Sequence, residues 1–266
     1  MLELNYKIPE NIKSVRIDVG MSSTGPNAAF WLNKYDNMAV IGIEPNPINF
    51  QRILDGQFIV GGEIQIVANE NIVRIGHGDT LCNYIDKGNY FLGFEAAIDN
   101  VENITKKTFY CTDITNTGCS SLHKPIDERL NGVKTEKEID VDVISLQKLL
   151  ENFPFNQIPV IEFLKTDTQS NDLNVVKSCG KYLERVCFIF SEYYAHSAYE
   201  GEKNQIQCLQ EFDEFMKENG FKQYYYSGTD VAYINTNLIP YIISHNVMND
   251  CIEMQNGYNW LWKKEF

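Results

Sequence analysis

No apolar run in this 266-residue chain approaches the ~20 residues that a bilayer-spanning helix requires, so a membrane span is not expected. The first residues, Met1-Leu2-Glu3-Leu4-Asn5-Tyr6-Lys7, lack the basic-then-apolar pattern of a secretory signal. No long lysine or arginine run occurs, and 23 basic against 36 acidic residues give a net charge of −13. Such a surface repels a phosphate backbone, so a nucleic-acid substrate is not expected. The seven cysteines are odd in number and show no C-x-x-C spacing. Several sit in apolar runs such as Val186-Cys187-Phe188-Ile189, which suits buried reduced thiols better than a disulfide framework. The expectation is a soluble, cytoplasmic protein. Histidine is scarce too, with four residues and no His/Asp cluster of metal-ligand spacing.

What is present is an ordinary globular composition, 44% hydrophobic and 12% aromatic, in a chain long enough for a large core. The most informative segment is Val15-Arg16-Ile17-Asp18-Val19-Gly20, a short buried strand running into a turn. About one helix later comes Met38-Ala39-Val40-Ile41-Gly42-Ile43-Glu44, a second strand ending in an acid, followed by Pro45-Asn46-Pro47. A parallel-sheet nucleoside site needs this layout, because backbone must approach the ligand at the first turn. An acid at the tip of the next strand can then accept both ribose hydroxyls. A dinucleotide site would use three glycines, G-x-G-x-x-G, to seat a pyrophosphate. Here one glycine follows the strand closely and Asp18 precedes it by two residues. That acid would repel a pyrophosphate and suits a cationic amino-acid moiety. S-adenosylmethionine, which carries an ammonium and a sulfonium but no phosphate, is therefore favoured over NAD.

These blocks resemble the FkbM-type S-adenosylmethionine-dependent methyltransferases. Asp18-x-Gly20-x-Ser22 and Gly42-Ile43-Glu44-Pro45-Asn46-Pro47 carry the first part of the resemblance. Ile161-Glu162-Phe163-Leu164-Lys165-Thr166-Asp167-Thr168-Gln169-Ser170-Asn171-Asp172-Leu173 is similar to the family's LKxDxQGxxL segment, with serine at position 170 where the family has glycine. Between them, Cys119-Ser120-Ser121-Leu122 and Val141-Asp142-Val143-Ile144-Ser145-Leu146 resemble two further family segments, in the family's order. The resemblance implies an α/β, Rossmann-like class I fold: a mostly parallel sheet of about seven strands, helices on both faces and an antiparallel edge hairpin. It further implies that Ala96-Ala97-Ile98 packs against adenine.

Apolar runs alternating with helical spacing agree with an α/β sheet. Helices are expected over 27–34, 47–54, 146–153, 173–179 and 206–219, with strands over 91–98, 108–111, 141–144, 160–166 and 186–190. Residues 221–226 and 231–234 flank a turn as a hairpin. Residues 112–138 are polar and turn-rich, and are expected to cover the ligand end of the sheet. The whole chain, 1–266, is expected to be one methyltransferase domain with its core over about 14–235. Residues 58–90, with a turn at Gly76-His77-Gly78-Asp79, form an insertion, and 240–266 an extension.

The candidate cofactor-binding residues are Asp18, Gly20, Met21 and Ser22 in the first turn, Glu44, Pro45 and Asn46 in the second, and Ala96 and Ala97. Ser22 has two readings, a ligand for the cofactor's carboxylate or a helix cap. Asp167 ends the strand expected beside the cofactor's methionine part, and two roles are open to it. It holds a substrate hydroxyl, or it helps a divalent metal to do so with Asp172; metal dependence is not favoured. Methyl transfer to a hydroxyl needs positioning and removal of one proton. His196 after the next core strand, then His123 in the polar loop, then Glu192 are the candidate bases, while His77 and His245 lie outside the expected site. Tyr193, Tyr194, Tyr199 and Tyr224-Tyr225-Tyr226 suit a carbohydrate acceptor or half-buried edge positions. The reaction expected is O-methylation of a sugar, glycan or small natural product, with S-adenosylhomocysteine as the other product. An inactive binding module and an NAD-dependent oxidoreductase are the alternatives.

Overall fold

The computed structural model describes residues 4, 6–23, 25–54, 58–60, 64–66, 74–75, 82–84, 88–113, 117–130 and 132–247. The expected turn at 76–79 with His77, and most of the C-terminal extension, lie outside the described residues. The strands are β1 (Ser14–Val19), β2 (Met38–Ile43), β3 (Phe58–Val60), β4 (Ile64–Ile66), β5 (Arg74–Ile75), β6 (Cys82–Tyr84), β7 (Asn89–Phe94), β8 (Ala97–Ile98), β9 (Thr105–Thr112), β10 (Thr135–Ile144), β11 (Ile161–Thr166), β12 (Val186–Glu192), β13 (Phe221–Tyr226) and β14 (Asp230–Asn235). The helices are α1 (Pro26–Lys34), α2 (Pro47–Leu54), α3 (Leu146–Leu150), α4 (Asp172–Lys177), α5 (Gln205–Glu218) and α6 (Ile239–Ser244).

The main sheet has the order β13-β14-β12-β11-β1-β2-β7-β5, with β6 also paired to β7. The run from β12 through β11, β1, β2 and β7 to β5 is parallel, and β14 is antiparallel to both β12 and β13. Seven of these strands have six or seven residues, and the short β5 and β6 lengthen the sheet to nine. From β1 the chain steps outward through β2 to β7, then returns to the other side of β1 as β11. The carboxyl ends of β1 and β11 therefore flank a topological switch point, where open α/β sheets form their ligand crevice.

Both faces of the sheet are buried, and this explains its near-continuous apolar strands. In β2, Ala39, Ile41 and Ile43 join one core cluster, while Met38 and Val40 join the other. Ala28, Trp31 and Leu32 of α1 pack on the second side; Leu149, Val175, Phe212 and Met216 of α3, α4 and α5 pack on the first.

Three expectations need correction. The strand expected over 91–98 ends at Phe94, because the chain leaves the main sheet and Ala97–Ile98 pairs with β10 in a separate three-stranded sheet. The strand expected over 141–144 is the end of a ten-residue strand, paired antiparallel to β9. Its outer half, Thr135-Glu136-Lys137-Glu138-Ile139, is mostly charged and largely exposed, so a search for apolar runs overlooks it. Helix α3 stops at Leu150, ahead of Pro154, which disfavours helical backbone in the residue before it.

Candidate functional site

The turns after β1 and β11 meet at the switch point. The Asp167 N–H donates to the Val19 carbonyl at 3.0 Å, and Gly20 adopts a left-handed φ of 77°. A Cβ on Gly20 would lie 1.9 Å from the Asp167 carbonyl oxygen. No L side chain fits there, and glycine is the residue that permits both the turn and the approach. A cleft of about 240 Å³ opens beside this contact.

Glu44 fixes the second wall. Its Oε2 accepts from the Ser22 N–H at 2.7 Å and its Oε1 from the Asn46 N–H at 2.9 Å, so one carboxylate joins the turns after β1 and β2. Glu44 is buried and faces the cleft. Burial pushes its carboxyl up to about 7, against the pull of its amide donors. Pro45 lines the cleft beside it. The third wall is apolar: Ala96, Ala97 and Ile98 from the crossing between sheets, Phe109 of β9 and Leu122. The 119–122 segment is tied in by Ser121 Oγ, which donates to the Gln169 carbonyl at 2.7 Å.

Asp167 closes the cleft on the β11 side, its side chain 44% exposed. Its Oδ1 accepts from Gln169 Nε2 at 2.9 Å, and its Oδ2 lies 3.7 Å from Lys165 Nζ. Lys165 is buried, donates to the Gly20 carbonyl at 2.8 Å and pairs with Asp18 at 3.2 Å. Burial alone would lower its pKa, but Asp18 and Asp167 beside it raise it, so Lys165 is a fixed cation under the turn.

Of the residues expected to bind cofactor, Gly20, Ser22, Glu44, Pro45, Ala96 and Ala97 line the cleft, and Asp18, Met21 and Asn46 do not. Asp18 is fully buried behind the turn. Its Oδ2 accepts from the Ala28 N–H at 3.2 Å, in the first turn of α1, and burial raises its pKa despite Lys165. An acid there serves the unpartnered amides of a helix start. Met21 is buried under the sheet, filling the space that Gly42 leaves by lacking a Cβ. Asn46 caps α2, its Oδ1 accepting from the Ile48 N–H at 3.0 Å. Ser22 is no helix cap, since Gly25 holds that position in α1.

Of the residues expected to be catalytic, only Asp167 reaches the cleft. His196 is exposed, with φ 59°, and its ring lies 5.7 Å from that of Tyr194. His123 and Glu192 line a second cavity across the Asp167–Asp172 loop. Glu192 Oε2 accepts from the same Gln169 Nε2 at 2.9 Å, and Tyr199 OH lies 2.9 Å from Gln169 Oε1. Burial, followed by the charges of Asp167 and Asp172, pushes Glu192 up to about 10. Among the described residues, no group of three or more His, Cys, Asp or Glu side chains has metal-binding geometry.

Sequence reasoning missed Phe109, the bridging part of Gln169 and the buried cation Lys165. Phe109 reaches the cleft through the β8-β10-β9 sheet, for which no local pattern exists; Lys165 and Gln169 were visible only as members of a motif.

No curated protein and no solved structure matches the chain. The methyltransferase FkbM domain matches it over residues 18–222, a span holding every wall of the cleft, and the chain belongs to that family of methyltransferases.

Proposed function

We propose that the protein moves a methyl group from S-adenosylmethionine to a hydroxyl oxygen of a sugar, glycan or small natural product. The observation that carries this reading is the cleft at the switch point, with Glu44 on one wall and Asp167 on the other. The residues fit the cofactor. Gly20 leaves backbone bare where a Cβ has no room, Glu44 offers buried carboxylate acceptors for a ribose, and Ala96, Ala97, Ile98 and Leu122 suit an adenine face. Oε2 of Glu44 keeps acceptor capacity beyond its backbone amide, whereas Oε1 also takes Asn49 Nδ2 at 3.4 Å. When bound, the sulfonium supplies an electrophilic methyl group that needs no further activation.

The chain's own part is to orient the acceptor hydroxyl and hold its proton. Asp167 is the carboxylate placed to do so, steadied by Gln169 on Oδ1 and by Lys165 near Oδ2. A positioned base of this kind contributes ~10²–10⁴-fold to a proton transfer.

Calorimetric titration with S-adenosylhomocysteine, and separately with NAD, tests the donor. Binding of the former alone, with a loss on Leu122→Trp in a variant of unchanged melting temperature, supports the reading. Preference for NAD would move the chain to hydride chemistry, and binding of neither would leave a module without the reaction.

A further inference from the structure

The Asp167–Asp172 loop has two sides. Asp167, Gln169 and Asn171 face the cleft, whereas Ser170 and Asp172 face a second cavity of about 300 Å³ at the carboxyl ends of β11 and β12. Four carboxylates line that cavity, Asp172, Glu192, Glu202 and Glu211, against the lysines Lys177 and Lys203. Lys203 is committed to Glu211, and Lys177 lies 5.5 Å from the centre of the Phe215 ring. Asp172, Glu192 and Glu202 have no ion-pair partner among the described residues.

An acidic lining alone would be a solvated surface. Here Asp172 is 2% exposed, its Oδ1 accepts from the Thr168 N–H at 3.1 Å, and its Oδ2 has no partner at hydrogen-bond distance, the nearby Thr166 and Thr168 hydroxyls offsetting its burial only in part. Glu202, partly buried on the facing loop, accepts from the Ala195 N–H at 2.6 Å through Oε1, and its inward Oε2 has no partner at hydrogen-bond distance. A buried acceptor left unmatched costs free energy, and two of them on residues that line one cavity call for a donor. Carboxylates without a counter-ion call for a positively charged one.

Resting on the methyl-transfer reading above, we propose that the acceptor bears an ammonium group, that this cavity holds the ammonium, and that the hydroxyl to be methylated reaches Asp167 across the shared loop. Gln169 links the two halves, since its one amide nitrogen donates to Asp167 and to Glu192. The clustered acids relieve their mutual repulsion by keeping protons. Burial and then Asp167 hold Asp172 at about 7, while burial, Asp167, Asp172 and Asp230 hold Glu192 at about 10, with Lys165 the opposing cation. An arriving ammonium favours the ionised acids, so binding expels protons into solvent.

The test uses the full chain, saturated with S-adenosylhomocysteine at neutral pH. Glucosamine is titrated against glucose and N-acetylglucosamine, which share its ring but carry no charge. Glucosamine is expected to bind about tenfold or more tightly than either, a margin typical of a charge-assisted donor meeting an unpaired acid. Its binding enthalpy is expected to differ between phosphate and Tris buffers as released protons are taken up. Asp172→Asn should erase the preference; if that variant does not fold, Glu202→Gln carries the same test. Equal binding of the three sugars, no binding of glucosamine, or a preference unmoved by the variant would overturn the ammonium site. Titration with S-adenosylhomocysteine alone separates the failures: retained binding with no amine preference removes only this inference, and lost binding removes the methyl-transfer reading beneath it.

Discussion

The turns that end β1 and β11 touch each other, yet they solve the same backbone problem differently. The first puts glycine at the left-handed position that touches the other turn, φ 77° at Gly20, and carries Ser22 at 55° further on; the second puts Gln169 and Ser170 at its left-handed positions, at 58° and 84°. The difference lies in what each would strike. A Cβ at Gly20 meets a carbonyl oxygen of the other turn, and backbone that is hydrogen-bonded to Val19 cannot yield. Gln169 and Ser170 point side chains into open cavity walls, so they bear the dihedral strain without a collision. Steric necessity is thus concentrated on one side of the contact, and side-chain chemistry on the other.

Breaking the steric side should have the largest effect. Gly20→Ala adds left-handed strain to an overlap with fixed backbone, each worth ~1–3 kcal/mol, so a loss on the order of 5 kcal/mol or failure to fold is expected. A urea denaturation curve measures it, and a shift below ~1 kcal/mol would mean that the two turns separate readily in solution. Next comes the ion beneath both turns. Lys165→Met leaves Asp18 buried without a cation and the Gly20 carbonyl without its donor, a loss of about 3–5 kcal/mol. Retention of the wild-type melting temperature would show that Asp18 is already neutral.

The acids on either side of the contact set an unusual pH dependence. Glu44 and Asp172 are raised to about 7, and Glu192 to about 10, chiefly by burial. The folded protein therefore holds protons that the unfolded chain has released. The stability these protons confer is fully present below the unfolded carboxylate values, and it falls as pH climbs through the folded ones. Between about pH 5 and 7 each group should cost on the order of 1 kcal/mol per pH unit, so melting temperature should rise on mild acidification. Glu192→Gln should flatten the slope and raise stability at neutral pH. An unchanged slope would place the titration elsewhere.

Much of this site was legible because three of its walls sit at the ends of strongly apolar strands. Gly20, Glu44 and Asp167 each follow a run buried on both faces, and the polar residue that ends such a run belongs to the carboxyl edge of the sheet. Asp18 carried the same signal and lies behind the turn. What separates it from Glu44 is the β1–β11 register, which sets Asp18 directly against Lys165. Pairing between strands so far apart in sequence has no local trace. The same reason hides Phe109, delivered by a second sheet, and defeats His196, whose place after a core strand leaves it exposed. Glu192 is legible as an acid at a strand end beside aromatics, but its connection to Asp167 through Gln169 depends on three elements meeting.

The smallest effect sharpens the comparison most, because it tests whether strain alone distinguishes the two turns. Ser170 stands where the family pattern has glycine, and its φ of 84° is a conformation in which an L residue carries ~1–2 kcal/mol of strain. Ser170→Gly relieves that strain while giving the unfolded chain more freedom, a cost of ~0.5–1 kcal/mol. The net should be a gain of at most about 1 kcal/mol, read from the urea midpoint at constant slope. Gln169→Gly, one residue earlier, relieves similar strain but deletes the amide that Asp167, Glu192 and Tyr199 share, so it should destabilise. Opposite signs from adjacent left-handed positions would show that serine at 170 is tolerated rather than required, and that the turn is held by Gln169. Two losses would instead assign the Ser170 hydroxyl a part in the second cavity that backbone geometry does not explain.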